Sequence, residues 1–296
     1  MPARIFKTIF LFTATCFYFL CATAQKVKEP KASNPEWEKP FEPFRIAGNL
    51  YYVGTYDLAS YLVVTTKGSI LINTGMASSK EQIQQNIKAL GFKFSDIKIL
   101  LTTQAHYDHM GAMAAIKKKT KAKLWVNAPE EDVLKTGGAS DYALGGEEPL
   151  FKPVKANRLL HNGDTIALGE TKLVMLSHPG HTQGSCSYIF TTTDSVRSYR
   201  VLIANMPTIV TSKRFADISA YPAVTSDYAQ TFTKMKQLQF DIWMASHAGQ
   251  FNMHDKHKPG DAYNPLAFAD RAGYDAALEE LEKDYQDKLK KDASNQ

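Results

Sequence analysis

The chain has few cysteines, and their positions exclude a fold held together by disulfides. Three cysteines occur among 296 residues. Cys16 and Cys21 lie in an apolar N-terminal segment, so Cys186 stands alone in the remainder. Small secreted scaffolds need several paired cysteines, whereas a chain of this length can bury a large core without them. We therefore expect stability to come from the core.

The sequence also lacks the basic surface of a nucleic-acid-binding protein. No block of Lys and Arg is interleaved with aromatic residues. The formal net charge is +5, and two of the positive charges are Arg4 and Lys7 in a segment without acidic residues. With 44% hydrophobic and 22% charged residues, the composition excludes wholesale disorder. We expect a packed globular protein with no nucleic-acid partner.

Long apolar runs are absent except at the N-terminus. Residues 9–22 follow Arg4 and Lys7 and are fewer than the about 20 residues that a spanning helix needs. Residues 22–24 (Ala-Thr-Ala) match a small-x-small cleavage site. We predict a signal peptide at 1–24 and a periplasmic protein with no membrane association after cleavage, which we expect to be a monomer. The alternative is a retained anchor helix.

Strand-like and helix-like segments alternate after a short arm. Residues 25–43 are rich in Lys, Glu and Pro and predict a surface arm, and no linker divides residues 44–296, which we expect to form a single domain. Strand runs followed by helices in both halves predict two packed sheets with helices outside. Strands are predicted at 50–53, 59–64, 69–73, 98–101, 123–126, 172–176, 188–191, 199–203 and 241–245, and helices at 80–90, 112–119, 226–238 and from residue 274.

One polar turn carries the strongest chemical signal. It follows the predicted strand 98–101 and contains Gln104, His106, Asp108 and His109. Imidazole and carboxylate are typical zinc ligands, and ligands of α/β proteins gather where strands end. Either histidine alone would more often be structural. The cluster, by contrast, predicts a metal site.

Two further segments place histidines after predicted strands. His178 and His181 follow strand 172–176, and His247 follows strand 241–245. We therefore expect three parts of the chain to converge on one metal site. The other histidines lack neighbouring donors and are expected in a turn or a solvated loop: His161, His254 and His257.

The lone Cys186 is not assigned to the metal site, although it follows His181 closely. It begins a strand-like run at 186–190, and unpaired cysteines are among the most frequently buried residues. We predict that Cys186 belongs to the core. A Cys–His protease is disfavoured, because it leaves Asp108 and His109 without a role.

These motifs resemble the metallo-β-lactamase superfamily, whose pattern is His-x-His-x-Asp-His, then Gly-His-Thr, then a late histidine. More narrowly, the chain resembles the subclass B3 metallo-β-lactamases, and among them the GOB-type enzymes, in which Gln replaces the first motif histidine. The resemblance implies an α/β fold, the αβ/βα sandwich, with two packed mixed β-sheets flanked by helices and the metal site at the sheet edges. The matching segments are ILINTG, GNLYYVGTYDLASYL, QAHYDH, HPGHTQGSCS, RVLIANMP and FDIWMASHAGQF.

The resemblance also implies two zinc positions, of which one or both are filled. His178 has no ligand role in the family pattern. Asp108 would be the catalytic residue, binding metal with one carboxylate oxygen and orienting the attacking water with the other. The predicted ligands are Gln104, His106 and His181 at the first position, and Asp108, His109 and His247 at the second.

Three residues depart from the wider family pattern. Gln104 offers a neutral amide oxygen, which is a poorer zinc ligand than imidazole, so we expect the second position to bind zinc more tightly. Met206 stands where related lactamases carry Cys or Ser, so no thiolate is present there. Asn73 replaces a common Asp and is expected to support the ligands without touching metal.

The implied activity is zinc-dependent hydrolysis of the β-lactam ring amide in penicillins, cephalosporins and carbapenems by a metal-bound hydroxide, giving antibiotic resistance. The partner is then a small-molecule β-lactam, whose carboxylate we expect near Asn205 or Thr208. The loop at 136–138 is expected to shape the cleft. Because a metal-bound hydroxide would be the nucleophile, no covalent intermediate is expected.

Two alternatives remain at this point. One is another exported metallo-hydrolase of the same fold, a lactonase or a thioesterase. The other is a non-catalytic zinc-binding protein in which Gln104 marks decay of the site. Asp108 argues against the second alternative, because a binding protein needs no residue to orient water.

Overall fold

The computed structural model describes residues 26–294, so the predicted signal peptide at 1–24 lies outside the described residues. Within this range twelve strands form one sheet of seven and one of five. The strands of the first sheet are β1 (Phe44–Ala47), β2 (Leu50–Tyr52), β3 (Tyr61–Thr65), β4 (Gly68–Ile72), β5 (Ile97–Leu101), β6 (Lys123–Asn127) and β7 (Arg158–Leu160). Those of the second are β8 (Thr165–Leu168), β9 (Thr171–Ser177), β10 (Cys186–Thr193), β11 (Ser198–Ala204) and β12 (Ile242–Ala245).

Helices cover the outer faces of both sheets. None of those between residues 26 and 294 combines the length and hydropathy of a bilayer span. The α-helices are α1 (Ser79–Ala89), α2 (Tyr107–Met110), α3 (Met113–Thr120), α4 (Glu131–Thr136), α5 (Val224–Lys236), α6 (Met253–Lys256) and α7 (Arg271–Ser294).

Both sheets mix parallel and antiparallel pairs. The first sheet follows the order β1 to β7; β1–β4 are antiparallel neighbours, and β4–β7 run parallel. The second has the order β12-β11-β10-β9-β8, and only β11 and β12 are parallel neighbours. This architecture is the predicted αβ/βα sandwich.

Successive side chains along a strand of the first sheet point to opposite faces, and this divides the core into two layers. Ile70 and Ile72 on β4 belong to the cluster that joins the two sheets, whereas Leu71 belongs to the cluster under the helices. Ile99 and Leu100 on β5 divide in the same way. A strand buried on both faces reads as a continuous apolar run, which is why 69–73 and 98–101 were recognisable as strands.

The predicted order of strands and helices is confirmed, apart from short elements. The elements not predicted from the sequence each have six residues or fewer: β1, β7, β8, α2, α4 and α6. The arm contacts the domain at two points: the Lys28 N–H donates to the Pro149 carbonyl (2.8 Å), and the Ala77 N–H donates to Glu29 Oε1 (2.8 Å).

Candidate metal centre

Four strands end at the edge where the two sheets meet. Gln104, His106, Asp108 and His109 follow β5 within a turn that leads into α2, and the loop after β9 carries His181. Asn205 follows β11 directly, and Ser246 and His247 follow β12. The predicted convergence of these segments is what the structure shows.

Asn73 and two hydroxyl residues brace this edge. Asn73 has φ +61°, directly after β4, and its Oδ1 accepts a hydrogen bond from the Thr103 N–H (2.9 Å). The Thr103 Oγ1 and Ser246 Oγ atoms are 2.9 Å apart, which links the first sheet to the second. The segment just before Gln104 is therefore tied to both sheets, and Asn73 supports the site without lining its cavity.

The three residues predicted for the second zinc position lie together. Asp108 Oδ2 is 3.2 Å from His109 Nε2 and 3.4 Å from His247 Nε2. One donor atom from each of the three residues lies within 4.8 Å of the others, and Asp108 and His109 are buried. This spacing allows all three to contact one ion.

The residues predicted for the first position form a second group beside it. His106 Nδ1 and His181 Nε2 are 3.1 Å apart, and their ring centroids are 4.8 Å apart. Gln104 is buried, and its Oε1 has no hydrogen-bond partner among residues 26–294. Gln104, His106 and His181 line the same cavity.

Neighbouring charged groups at the site shift one another's pKa values. Burial alone would raise the pKa of Asp108, but His109 and His247 hold it well below its usual range. Burial would lower the pKa of His247, yet the carboxylates of Asp108 and Asp57 raise it to about 9. Burial and the neighbouring His106 lower the pKa of His181 to about 3. His181 is therefore neutral and ready to bind a cation, whereas cation binding at His247 has to release a proton.

Two of the predicted ligand histidines contact polar groups through the nitrogen that faces away from the cavity centre. Asp57 Oδ2 lies 2.9 Å from His247 Nδ1, and the Thr208 carbonyl lies 2.8 Å from His181 Nδ1. Such partners fix the tautomer and orientation of a metal-binding imidazole. Asp57 was not predicted from the sequence, where its only signal is its position just before a predicted strand.

A cavity of about 310 Å³ opens over the two groups. Its walls combine the polar ligands with apolar side chains, as in sites for small organic molecules. Both predicted substrate-contact residues, Asn205 and Thr208, line it. The apolar or aromatic walls are Trp37, Tyr107, Leu144, Met206 and Val210.

Trp37 is a second residue of the site that was not predicted from the sequence. It belongs to the arm, in the short 3-10 helix Pro35–Trp37. Its ring centroid lies 5.6 Å from that of His247 and 6.3 Å from that of Tyr107. The arm at 25–43 therefore forms one wall of the cavity as well as a surface segment.

The remaining singled-out residues lie away from the ligands. His178 is buried with its Nδ1 2.7 Å from Ser187 Oγ, and Cys186 is buried at the start of β10, as predicted. His161 is exposed. The expectation of a solvated loop is wrong for His254 and His257, because their rings stack on Tyr56 and Phe44 at 3.8 and 3.6 Å.

The donor set fits zinc. Gln104 Oε1 and both ring nitrogens of His109 are buried without a hydrogen-bond partner in the described part of the chain. Leaving a buried polar atom unpaired costs about 1–3 kcal/mol, and a cation relieves that cost. Nitrogen and oxygen donors at this density suit zinc. The two groups would hold two ions side by side.

We expect zinc to bind the two positions with unequal affinity, because an amide oxygen is a weaker ligand than imidazole. Gln104→His is expected to tighten the weaker step by about tenfold, or about 1.4 kcal/mol, and to leave the tighter step unchanged. Competition with graded chelator concentrations measures both steps. Equal affinities in the wild type would contradict this expectation.

The chain is similar to known metallo-hydrolases in sequence and in structure. Residues 55–194 match the metallo-beta-lactamase superfamily. The class B3 di-zinc metallo-β-lactamase LRA-12 from an Alaskan soil metagenome is 63% identical, with a TM-score of 0.88 over 89% of this chain and 100% of that one. The metallo-β-lactamase GOB-18 from Elizabethkingia meningoseptica is 57% identical, with a TM-score of 0.90 over 91% and 100% of the two chains. A probable metallo-hydrolase of Bacillus subtilis is 30% identical over 51% of this chain and 68% of its own length.

Proposed function

This chain belongs to the class B3 metallo-β-lactamases, and we propose that it hydrolyses the ring amide of β-lactam antibiotics with zinc. The family similarity confirms the resemblance seen in the sequence, including the likeness to GOB-type enzymes. The observation that carries the proposal is the pair of adjacent ligand groups under one small cavity. Antibiotic resistance is the expected consequence for the cell.

Each group has a distinct role in this proposal. Gln104, His106 and His181 would hold one ion, and Asp108, His109 and His247 the other. When bound, zinc supplies Lewis-acid polarisation and acidifies water to a pKa of about 7. These six side chains fix where that chemistry occurs, because strand ends and outer-layer contacts leave them little freedom.

Asp108 is placed to orient a water molecule. Its Oδ2 faces both His109 and His247, and its Oδ1 makes no hydrogen bond to residues 26–294. The two neighbouring histidines outweigh the effect of burial and keep the carboxylate ionised, with its pKa well below the usual range. Oδ1 is therefore free to accept a hydrogen bond from a nucleophilic water and to hold it toward the substrate carbonyl.

Asn205 is suited to bind the substrate carboxylate. It is buried at the cavity, and its Nδ2 has no hydrogen-bond partner in the described range. An amide N–H that is buried and unpaired gains most from an anionic acceptor. Thr208 lines the cavity too, but its Oγ1 lies 2.9 Å from His181 Nδ1, so its first partner is the ligand histidine.

The remaining assignments follow from the activity. β-Lactams act outside the cytoplasmic membrane, so export by the segment at 1–24 and a periplasmic location suit this enzyme. We infer that residues 44–296 form the catalytic domain and that the arm at 25–43 completes the cavity through Trp37. We expect a monomer, because the ligands named above all come from one chain.

The test is a hydrolysis assay with the zinc-loaded mature protein. A penicillin, a cephalosporin and a carbapenem are offered in parallel with a lactone and a thioester. We expect β-lactam ring opening, with a product heavier by one water and no covalent adduct on the protein. Turnover of the lactone or thioester alone would replace this proposal with the corresponding activity, and zinc binding without any turnover would favour a binding protein.

A further inference from the structure

We propose that Asp141 is a positioning residue that holds His106 and ties the loop at 137–146 to the first zinc position. This inference rests on the proposed function, since it concerns the same site. It assigns a role to a residue that lies outside the ligand groups and outside the motifs of the sequence analysis.

The ring of His106 is held from both sides. Its Nδ1 faces His181 Nε2 at 3.1 Å, and its Nε2 lies 3.4 Å from Asp141 Oδ1. Both side chains are only 3% exposed. The contact is electrostatic rather than a well-aligned hydrogen bond, because Nε2 has no partner that satisfies hydrogen-bond geometry among the described residues. Asp141 is thus the acidic group placed at the far nitrogen of His106.

The loop itself fixes the Asp141 carboxylate. Oδ1 accepts hydrogen bonds from the backbone N–H groups of Ala143 (2.9 Å) and Leu144 (2.7 Å). The Asp141 N–H in turn donates to the Gly138 carbonyl (3.1 Å). A carboxylate held by its own turn cannot swing away from His106 without opening that turn. The loop conformation and the position of His106 are therefore coupled.

The same loop reaches the other histidine of the first position. The Tyr142 hydroxyl donates to the Gly180 carbonyl (2.9 Å), one residue before His181. Gly180 has φ +137°, and a Cβ there would lie 2.8 Å from the Tyr228 ring, so this turn has no room for a side chain. Adjacent residues 141 and 142 thus contact the two histidine segments of the first position.

This placement has a chemical consequence for zinc binding. The three ligands predicted for the first position are all neutral, and one is a weak amide donor. A carboxylate at the far nitrogen of an imidazole fixes the tautomer that presents the other nitrogen to metal, and makes it more basic. Asp57 stands in the same relation to His247 at the second position, with Nδ1 2.9 Å from Oδ2. Each position therefore has its own outer carboxylate.

The paired variants Asp141→Asn and Asp57→Asn test this assignment. Asparagine keeps an oxygen for the N–H groups of Ala143 and Leu144 but removes the charge. Losing an outer partner weakens metal binding by about 10–100-fold. We expect Asp141→Asn to weaken only the looser zinc-binding step and Asp57→Asn only the tighter step, measured by competition with a chromophoric chelator. If Asp141→Asn leaves the zinc affinity of both steps unchanged, or weakens both steps equally, the proposal is overturned.

Two further readouts separate positioning from a general structural effect. Cobalt substituted at the looser step is expected to show an altered ligand-field spectrum in Asp141→Asn, while metal-free melting temperatures stay equal to the wild type. If Asp141→Asn melts at a lower temperature, Asp141→Glu is the deciding variant. Zinc affinity at the looser step that returns to the wild-type value supports the role of the charge, and affinity that stays low rejects it. β-Lactam turnover by the wild-type protein is measured separately. If the wild type does not turn over, the proposed function fails; if it does and the Asp141 variants do not behave as expected, only the role of Asp141 fails.

Discussion

Replacing Asp108 by alanine is expected to lower kcat/KM for a β-lactam by about 10³-fold, within the range of general acid–base contributions. The substitution removes the carboxylate that contacts both His109 and His247. It also removes the Oδ1 atom that we assign to the attacking water. Steady-state hydrolysis of a carbapenem, with zinc content measured on the same sample, checks the result.

Two companion variants make that result interpretable. Asp108→Asn keeps an oxygen ligand but no charge; retained zinc with reduced kcat would locate the defect in water orientation. Asp132→Ala is a matched control, because Asp132 is an 83% exposed aspartate on α4 that pairs with Lys135, and we expect its activity to equal the wild type. Wild-type activity in Asp108→Ala would contradict the proposed mechanism.

Removing zinc is expected to abolish turnover and to destabilise the fold. Free zinc at about 1,000 times its dissociation constant stabilises a native site by about 4 kcal/mol, which corresponds to a melting temperature higher by about 10 °C. The structural reason is a set of buried atoms that have no hydrogen-bond partner within residues 26–294: Gln104 Oε1 and the His109 ring nitrogens. Melting curves and hydrolysis rates at stepped zinc concentrations measure both effects.

The control for zinc removal is to add back either zinc or magnesium to the metal-free protein. Readdition of zinc should restore turnover and melting temperature together, whereas magnesium should restore neither, because it prefers all-oxygen sites. Turnover that persists after zinc is shown to be absent by metal analysis would rule out the metal-dependent reaction. A rise in melting temperature without turnover would separate the structural from the catalytic effect.

The sequence was sufficient for the long elements of the fold and insufficient for the short ones. Strands β4 and β5 are buried on both faces, and their continuous apolar runs stand out from their surroundings. By contrast, β7 has three residues and β8 has four, too few for a pattern to stand out from the surrounding sequence. Their pairing with longer neighbours, which the local sequence does not show, makes them strands.

The two groups of proposed ligands were predictable for a related reason. Imidazole and carboxylate donors concentrated after β5, β9 and β12 mark a shared edge, even before any distance is known. Asp57 and Asp141 were not predictable, because each is an ordinary loop aspartate in the sequence. Their roles depend on how distant segments fold back, as the separation between Asp57 and His247 shows.

The brace between Thr103 and Ser246 bears on the order of folding. It joins residues 143 positions apart, and contacts of such separation form late because closing a long loop costs chain entropy. The proposed ligands that follow the first sheet's β5 are synthesised well before His181 and His247, so the proposed pair of zinc positions would be complete only after the sheets dock. Zinc then acts on the docked state, and its kinetic effect should be slower unfolding rather than faster folding.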